Sequence, residues 1–468
     1  MEESSNNTQE EQEPKAPLSR YERTILWHGA IWFFLILCCY YIVRPIREQI
    51  GATYSNPTRS FLFAATFFVM LLAIPLYSVL VGKYHRKKLV PCIYAVFIGS
   101  LLFFWLAMHS LPESAQLRVS GAFFVWISVF GLFVVSFFWS VVGDMLSTAQ
   151  GRRVFGVMAG GGTLGQLLGS QVTSRLVGRI GIANLLLIPV VLLLMAMLVY
   201  MSMEYRFSKM APETSQLKNG KATGGNPFAG FTAILKSRYL FAICMFGFFM
   251  ATCGTTFYFQ QAEIVKATFA DVEFDDGQIE NRDELTDEQL TAALNELQLK
   301  ASKEASTQYF ANINFAVSIV TLVLQFFVVG WLMKNRGLSQ SLAVLPMAYV
   351  LGICALAIAP TIGVLVVVSV VGRSMEYGIC NPAREVLFTA IDREERYKAK
   401  SFIDTIVRRG GDSAVGGIYT VLRDSAGIAM TTLSWIVVPI ASIWVALAFF
   451  IGSENKRILR ENEKQTRP

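Results

Sequence analysis

Apolar runs of about 18–25 residues, each long enough as a helix to cross a hydrocarbon core of about 30 Å, recur from Ile25 almost to the C-terminus. Their limits predict twelve membrane-spanning helices, at about 25–45, 60–82, 89–110, 119–142, 153–174, 182–204, 238–264, 308–333, 341–359, 362–386, 402–422 and 430–452. An even number of spans puts both termini on one side. Two long hydrophilic stretches interrupt the rhythm. Tyr205 to Ser237, with PETSQLKNGKATGGNP, reads as a flexible linker between two six-helix halves. Lys266 to Thr307 is acidic. Within it Thr286 and Gln289 form a capping-box pattern, and Leu290, Ala293, Leu294 and Leu297 share a face, predicting a short amphipathic helix against the outer surface. Its expected role is decoration or gating.

Composition agrees with an all-α membrane protein: 53% of the 468 residues are hydrophobic and 16% charged. The net charge of +7 would suit nucleic acid, but the basic residues sit between apolar spans and read as topology signals. Loops and tails on the side of the termini hold roughly 26 of the 41 Lys and Arg, against about 10 opposite, so both termini are expected in the cytoplasm and the protein in the cytoplasmic (inner) membrane. KYHRKK and DREERYKAK are loops of that face. Residues 1–24 lack a basic n-region, an h-region and a cleavage site, so they read as a polar tail rather than a signal peptide. The expected divisions are thus 1–24 tail, 25–204 first half, 205–237 linker, 238–452 second half with the 266–307 insertion outside, and 453–468 tail. MLSTA (145–149) near the end of helix four and VLFTA (386–390) near the end of helix ten, each followed by a basic turn and a Gly-rich helix, suggest duplication. Six plus six parallel repeats resemble the architecture of the major facilitator superfamily.

AGGGTLGQLLGS (159–170) carries G-x-G-x-x-G, the spacing of a dinucleotide loop, but lies inside the fifth span with no preceding strand. Gly161, Gly165 and Gly169 recur every four residues and form a helix-packing face. In a carrier such a face would also let helices of opposite halves slide.

Arg44, Arg373, Arg384, Arg408 and Arg409 fall within spans, where an arginine costs roughly 2.5–3.5 kcal/mol near mid-bilayer if it faces lipid. They must snorkel, pair or line an aqueous cavity. Helical spacing offers Arg44 with Glu48, Arg373 with Glu376, and Arg408 with Asp404 and Asp412, while Arg384 is placed to snorkel. Paired charges would rigidify the halves. Their clustering in stripes on helices ten and eleven, matched by Thr252, Thr256 and Glu263 on helix seven and Asn314, Ser318, Thr321 and Gln325 on helix eight, implies a wet, electropositive cavity. Its cargo would be an organic anion, phosphate and carboxylate suiting guanidinium forks equally.

Catalytic sets are missing: His28, His85 and His109 lie far apart, the seven cysteines sit in apolar segments without ligand spacing, and there is no phosphate-binding P-loop. The expectation is a non-enzyme with no metal and no cofactor.

YYIVRPIREQIG (40–51), FVWISVFGLFVVSFFWS (124–140), QGRRVFGVMAGGGTLGQLLG (150–169) and KAKSFIDTIVRRGGD (398–412) resemble bacterial members of the ATP:ADP antiporter family. That resemblance implies exchange of nucleoside di- and triphosphates, with Arg44, Arg47, Arg152, Arg153, Arg408 and Arg409 as candidates for phosphate contact or gating; Arg373 joins them from its polar stripe. The acidic insertion departs from the family pattern. The expected partners are a small anion such as ATP or ADP and the lipid bilayer, with no nucleic acid and the oligomeric state left open, a monomer being allowed. Two rivals remain: a proton-coupled carrier using Asp144, Glu263, Glu376 or Asp404, and a non-transporting receptor built on the insertion. Asp412 completes the set of ion-pair candidates.

Overall fold

The first helix begins at a reciprocal cap. Ser19 Oγ accepts the Glu22 N–H at 3.1 Å, and Glu22 Oε2 accepts the Ser19 N–H at 2.8 Å, satisfying two donors that a helix start leaves open. From there a computed structural model describes residues 18–146, 148–210, 234–235, 237–273, 285–391, 399–400 and 402–466. The first half comprises α1 (Arg20–Thr53), α2 (Asn56–Lys83), α3 (Arg86–Ser110), α4 (Glu113–Met145), α5 (Thr148–Leu185) and α6 (Leu187–Met210). The second begins with α7 (Arg238–Thr268). Next, α8 runs over Asp287–Val323, through a π-helical turn at Leu324–Val328, and on to Asn335. After α9 (Gly337–Ile358), α10 covers Ile362–Met375, a π turn at Glu376–Cys380, and Asn381–Leu387. In α11, π turns at Ile403–Val407 and Val421–Ser425 flank Arg408–Thr420, and α12 is Met430–Thr466. Among the described residues the fold is an all-α membrane bundle of twelve helices in two six-helix halves. The end at which α1 starts and α12 finishes is the terminal end; the other is the distal end.

Ten of these helices are long and apolar enough to cross a membrane, and the two that are not, α5 and α11, carry the glycine ladder and the Arg408–Arg409 pair. Exposed side chains such as Phe61, Leu72, Phe326 and Phe327 are apolar, as a lipid-facing surface requires.

Each half closes around its own core. Trp32, Phe33, Phe97, Phe130 and Phe138 belong to one buried cluster, and Phe246, Leu342, Ile353 and Trp444 to another, which takes only Ala52 from the first half. Trp32 satisfies its indole N–H on the Tyr94 hydroxyl at 2.8 Å, so the buried aromatic carries no open donor. Two separately packed bodies suit rigid-body motion.

The glycine ladder lies on α1 of its own half. A Cβ on Gly161 would stand 2.6 Å from the Ala30 carbonyl oxygen, and Cβ atoms on Gly165 and Gly169 would come closer still to the Phe34 and Cys38 carbonyl oxygens. The four-residue spacing on α5 thus meets a four-residue spacing on α1. The contact stays inside one half, so the idea of a sliding face between halves is corrected: backbone in contact with backbone fixes α5 on α1.

At the α5–α6 turn Gly181 adopts φ 78° and ψ 166°, a region open in practice to glycine alone. Gly181→Ala should therefore lower stability by about 1–3 kcal/mol, read as a lower thermal midpoint in detergent.

The acidic insertion also differs from expectation. Its capping box exists, with Gln289 N–H donating to Thr286 Oγ1 at 3.3 Å and Thr286 N–H to Gln289 Oε1 at 3.0 Å. What it starts is no short surface helix but α8 itself. Asp287–Asn335 spans 49 residues, which at 1.5 Å per residue is about 70 Å, more than twice the hydrocarbon thickness. The extension projects past the distal end, where the Gln298 side chain donates to the Ala270 carbonyl at 2.7 Å. Cavities of about 900 and 470 Å³ lie beneath it, against the ends of α3 to α5.

Candidate functional site

Between the two cores the contacts turn polar. Pro45 removes one backbone rung of α1 beside three charged residues, Arg44, Arg47 and Glu48. The Arg44 guanidinium lies 3.2 Å from Glu48 Oε1 and donates to the hydroxyls of Tyr41 and Tyr377, each at 3.0 Å. Tyr377 belongs to α10, so this arginine already reaches across the halves. Glu48 does so more strongly. Its Oε1 is 3.3 Å from Arg373 of α10, and its Oε2 accepts from Asn314 of α8 at 3.3 Å. Arg373 in turn donates to Asn314 Oδ1 at 2.6 Å. Glu48, Arg44 and Arg373 retain only 8, 16 and 12% side-chain exposure, so one carboxylate of the first half holds two buried cations, one from each half.

Deeper toward the terminal end, Arg408 pairs with Glu376 at 2.8 Å, Arg409 with Asp412 at 3.8 Å, and Thr255 of α7 donates to Asp412 at 2.9 Å. Arg384 pairs with Asp404 at 3.0 Å and keeps 8% exposure, so it is a buried partner and does not snorkel. Of the pairs expected from spacing, only Arg44 with Glu48 forms. The expected Arg373 to Glu376 and Arg408 to Asp412 pairs give way to Arg373 with Glu48, Arg408 with Glu376 and Arg409 with Asp412. The expected Arg408 to Asp404 pair fails because the π turn at Ile403–Val407 lies across it. One extra residue in a turn rotates all that follows by about 100° and moves a side chain to another face.

Five arginines, Arg44, Arg47, Arg373, Arg408 and Arg409, thus share this region with three carboxylates, Glu48, Glu376 and Asp412. Among the described residues this leaves a net excess of two positive charges. Arg47 meets no carboxylate among the described residues; its Nε donates to the Phe124 carbonyl at 3.3 Å and its guanidinium lies 4.0 Å from the Phe124 ring centre. Arg409 keeps 38% exposure and lies within electrostatic reach of Arg47 and Arg408. The arrangement can bind an anion carrying about two charges and hold it between the halves.

The remaining sequence candidates lie elsewhere. Asp144 stands at the terminal end, 4.0 Å from Arg86, which also pairs with Glu204 at 3.2 Å. Glu263 sits at the distal end, 3.1 Å from Arg423, and takes no part in the central cluster. The side chains of Arg152 and Arg153 fall outside the described residues, as do most of the linker and most of the DREERYKAK loop. Sequence reading passed over Glu48 as a cross-half bridge, Tyr41 and Tyr377 as partners, and Arg59 altogether. The YYIVRPIRE run does place Tyr41, Arg44 and Glu48 at helical spacing, but nothing in it announces Arg373.

Polar contacts between halves occur at mid-depth and at the distal end. Ser174 donates to Asn312 at 2.6 Å, and Asn56 to Glu263 at 3.1 Å and Asp424 at 2.9 Å. At the terminal end the polar pairs of the described residues each stay within one half: Arg86 with Asp144 and Glu204, Lys400 with Glu385, Asn455 with Tyr239. The bundle is therefore tied at its distal end.

A sequence profile described as Major Facilitator Superfamily matches residues 18–270. The chain belongs to the major facilitator superfamily. Solved structures of this superfamily's fold resemble it over nearly their whole length. A mutant of the nucleoside transporter NupG is 14% identical, with a TM-score of 0.60 over 91% of this chain and 99% of that one. A bacterial homologue of the lysosomal transporter Spinster, inward-facing and unoccupied, is 14% identical, with a TM-score of 0.57 over 94% and 99%. A bacterial homologue of ferroportin, in an inward-facing state, is 12% identical, with a TM-score of 0.59 over 93% and 100%. These likenesses concern the fold. No curated protein matches the sequence. As a member of the superfamily the chain is a multi-pass secondary transporter of a small molecule.

Proposed function

We propose that this facilitator-superfamily protein exchanges organic anions, of the nucleoside di- and triphosphate class, across the cytoplasmic membrane with both termini in the cytoplasm. The observation that carries the reading is the uncompensated charge: five central arginines against three carboxylates, contributed by both halves. A neutral cargo gains nothing from this excess of guanidinium charge, whereas a phosphate chain accepts several charge-assisted hydrogen bonds from it. The quoted resemblance to the ATP:ADP antiporter family points the same way. Exchange follows from the electrostatics. An empty site that holds five arginines against three carboxylates reorients at a high desolvation cost, and a bound anion lowers it.

Asp144, Glu263, Glu376 and Asp404 each lie within 4.0 Å of an arginine, so the proton-coupled rival would have to break an ion pair at whichever of them it used.

The test is uptake of labelled ATP and ADP by vesicles containing the purified protein, with and without internal nucleotide. Arg47→Ala is the informative variant, because among the described residues Arg47 has no carboxylate that its removal would orphan. Uptake should require internal nucleotide and fall roughly 10- to 100-fold in the variant, the value of one charge-assisted hydrogen bond. A pH gradient without counter-substrate should drive nothing. Absence of any nucleotide uptake from a folded, reconstituted protein would remove the nucleotide assignment and leave other anions.

A further inference from the structure

At the distal end a single amide is fully committed. Asn56, at the start of α2, accepts from Arg59 on its Oδ1 at 2.6 Å, while its Nδ2 donates to Glu263 of α7 at 3.1 Å and Asp424 of α11 at 2.9 Å. Each side of this contact is hydrogen-bonded within its own half, and the Arg59 guanidinium also lies 5.0 Å from the Phe259 ring centre across the gap. Arg59, 1% exposed, donates to the Gly51 carbonyl at 2.7 Å and the Tyr54 carbonyl at 2.8 Å, which ties the α1–α2 turn together. Glu263 accepts from the Tyr419 hydroxyl at 3.0 Å and from Arg423 at 3.1 Å, both on α11. Thr420 adds a bond to the Asn56 carbonyl at 3.2 Å, and below it Phe63 meets Phe259 with ring centres 5.6 Å apart.

We propose that Asn56 is the distal gate residue of this carrier, closing that mouth by bridging the paired carboxylates of the opposite half and releasing them when the halves rock. An amide suits the task. It gives two charge-assisted bonds without a formal charge, so water can replace it on the carboxylates more cheaply than it replaces an ammonium or a guanidinium. Arg59 polarises the amide from behind and keeps it with the first half as the mouth opens. The inference rests on alternating access, not on which anion is carried.

Asn56→Asp tests it with a definite sign. The new carboxylate keeps Arg59, so the α1–α2 turn stays anchored, but it loses both donors and repels Glu263 and Asp424. Hydrogen exchange of the full-length protein in lipid nanodiscs, without substrate, should rise about tenfold or more at the distal ends of α2, α7 and α11. It should fall at the terminal ends of α4 and α10, because opening one mouth closes the other. Combining Asn56→Asp with Asp424→Asn returns a donor across the gap and should restore the wild-type pattern. If Asn56→Asp does not fold, Asn56→Ala removes the donors without adding repulsion and should give a smaller shift of the same sign. Exchange that rises at both ends together, exchange that does not change, or a double variant no closer to wild type than the single one would overturn the gate. Since no substrate enters the measurement, a failed gate and a failed nucleotide assignment give separate results.

Discussion

Glu48→Ala should destabilise the protein by about 3–5 kcal/mol, the cost of taking one acid away from buried cations. The magnitude comes from geometry on both sides of the side chain. Arg44 at 3.2 Å and Arg373 at 3.3 Å share Oε1, and Asn314 donates to Oε2. Arg44 keeps its two tyrosine hydroxyls after the change, but Arg373 keeps only Asn314. The larger share of the loss therefore falls on Arg373, in the second half. Thermal or denaturant unfolding in detergent measures it, and the double variant Glu48→Ala with Arg373→Met identifies its source. If the pair is what matters, the double variant is less destabilised than the sum of the two single ones by about 0.5–3 kcal/mol. Strict additivity would mean that cavity water, not Glu48, solvates Arg373. The same substitution raises the uncompensated charge by one, so anion affinity should rise while turnover falls, because a tighter bound state is harder to leave.

The membrane bundle was legible in the sequence because lipid imposes one rule on every span: about 20 apolar residues with internally satisfied backbone. Ten helices obey it outright. The two that do not, α5 and α11, were still found, since a Gly-every-four ladder and an RRGGD run keep helical period while losing hydropathy. The partner of each charge was less legible. A spacing argument assumes 3.6 residues per turn, and Arg44 with Glu48 lies where that holds. Asp404 and Arg408 lie across a π turn, whose presence no local residue pattern declares. Cross-half partners were hidden for a different reason. Glu48 and Arg373 are 325 positions apart and meet only once two separately cored bodies dock. Arg59 fell outside the predicted spans, at a helix boundary that sequence places only to within a few residues. The capping box at Thr286 did mark a helix start, yet it marked that of α8, because a continuous helix and a separate one begin with the same signal.

Gly165→Leu should abolish the folded protein, and Gly165→Ala should cost most of what leucine does. The usual reason a core tolerates a methyl group is that neighbouring side chains rotate away, costing about 1–3 kcal/mol. Here the neighbour is the Phe34 carbonyl oxygen, with the Cys38 backbone N–H next to it, and a helix backbone cannot rotate aside. Relief requires α5 to lift off α1 as a unit, which would also open the Gly161 and Gly169 contacts with Ala30 and Cys38. It would strain the attachment at Thr173, which donates to the Ile42 carbonyl at 3.1 Å. Gly160 is the internal comparison: it belongs to the same G-x-G-x-x-G run, yet a Cβ there meets nothing within 4 Å. Gly160→Ala should therefore be neutral, or slightly stabilising by about 0.5–1 kcal/mol, since alanine replaces glycine within a helix. Monodispersity on size-exclusion chromatography and the thermal midpoint measure both. A folded, monodisperse Gly165→Leu protein would show that α5 and α1 can separate without cost. In that case the two helices would be a movable joint within the first half, and the rigid-body account of the halves would have to be abandoned.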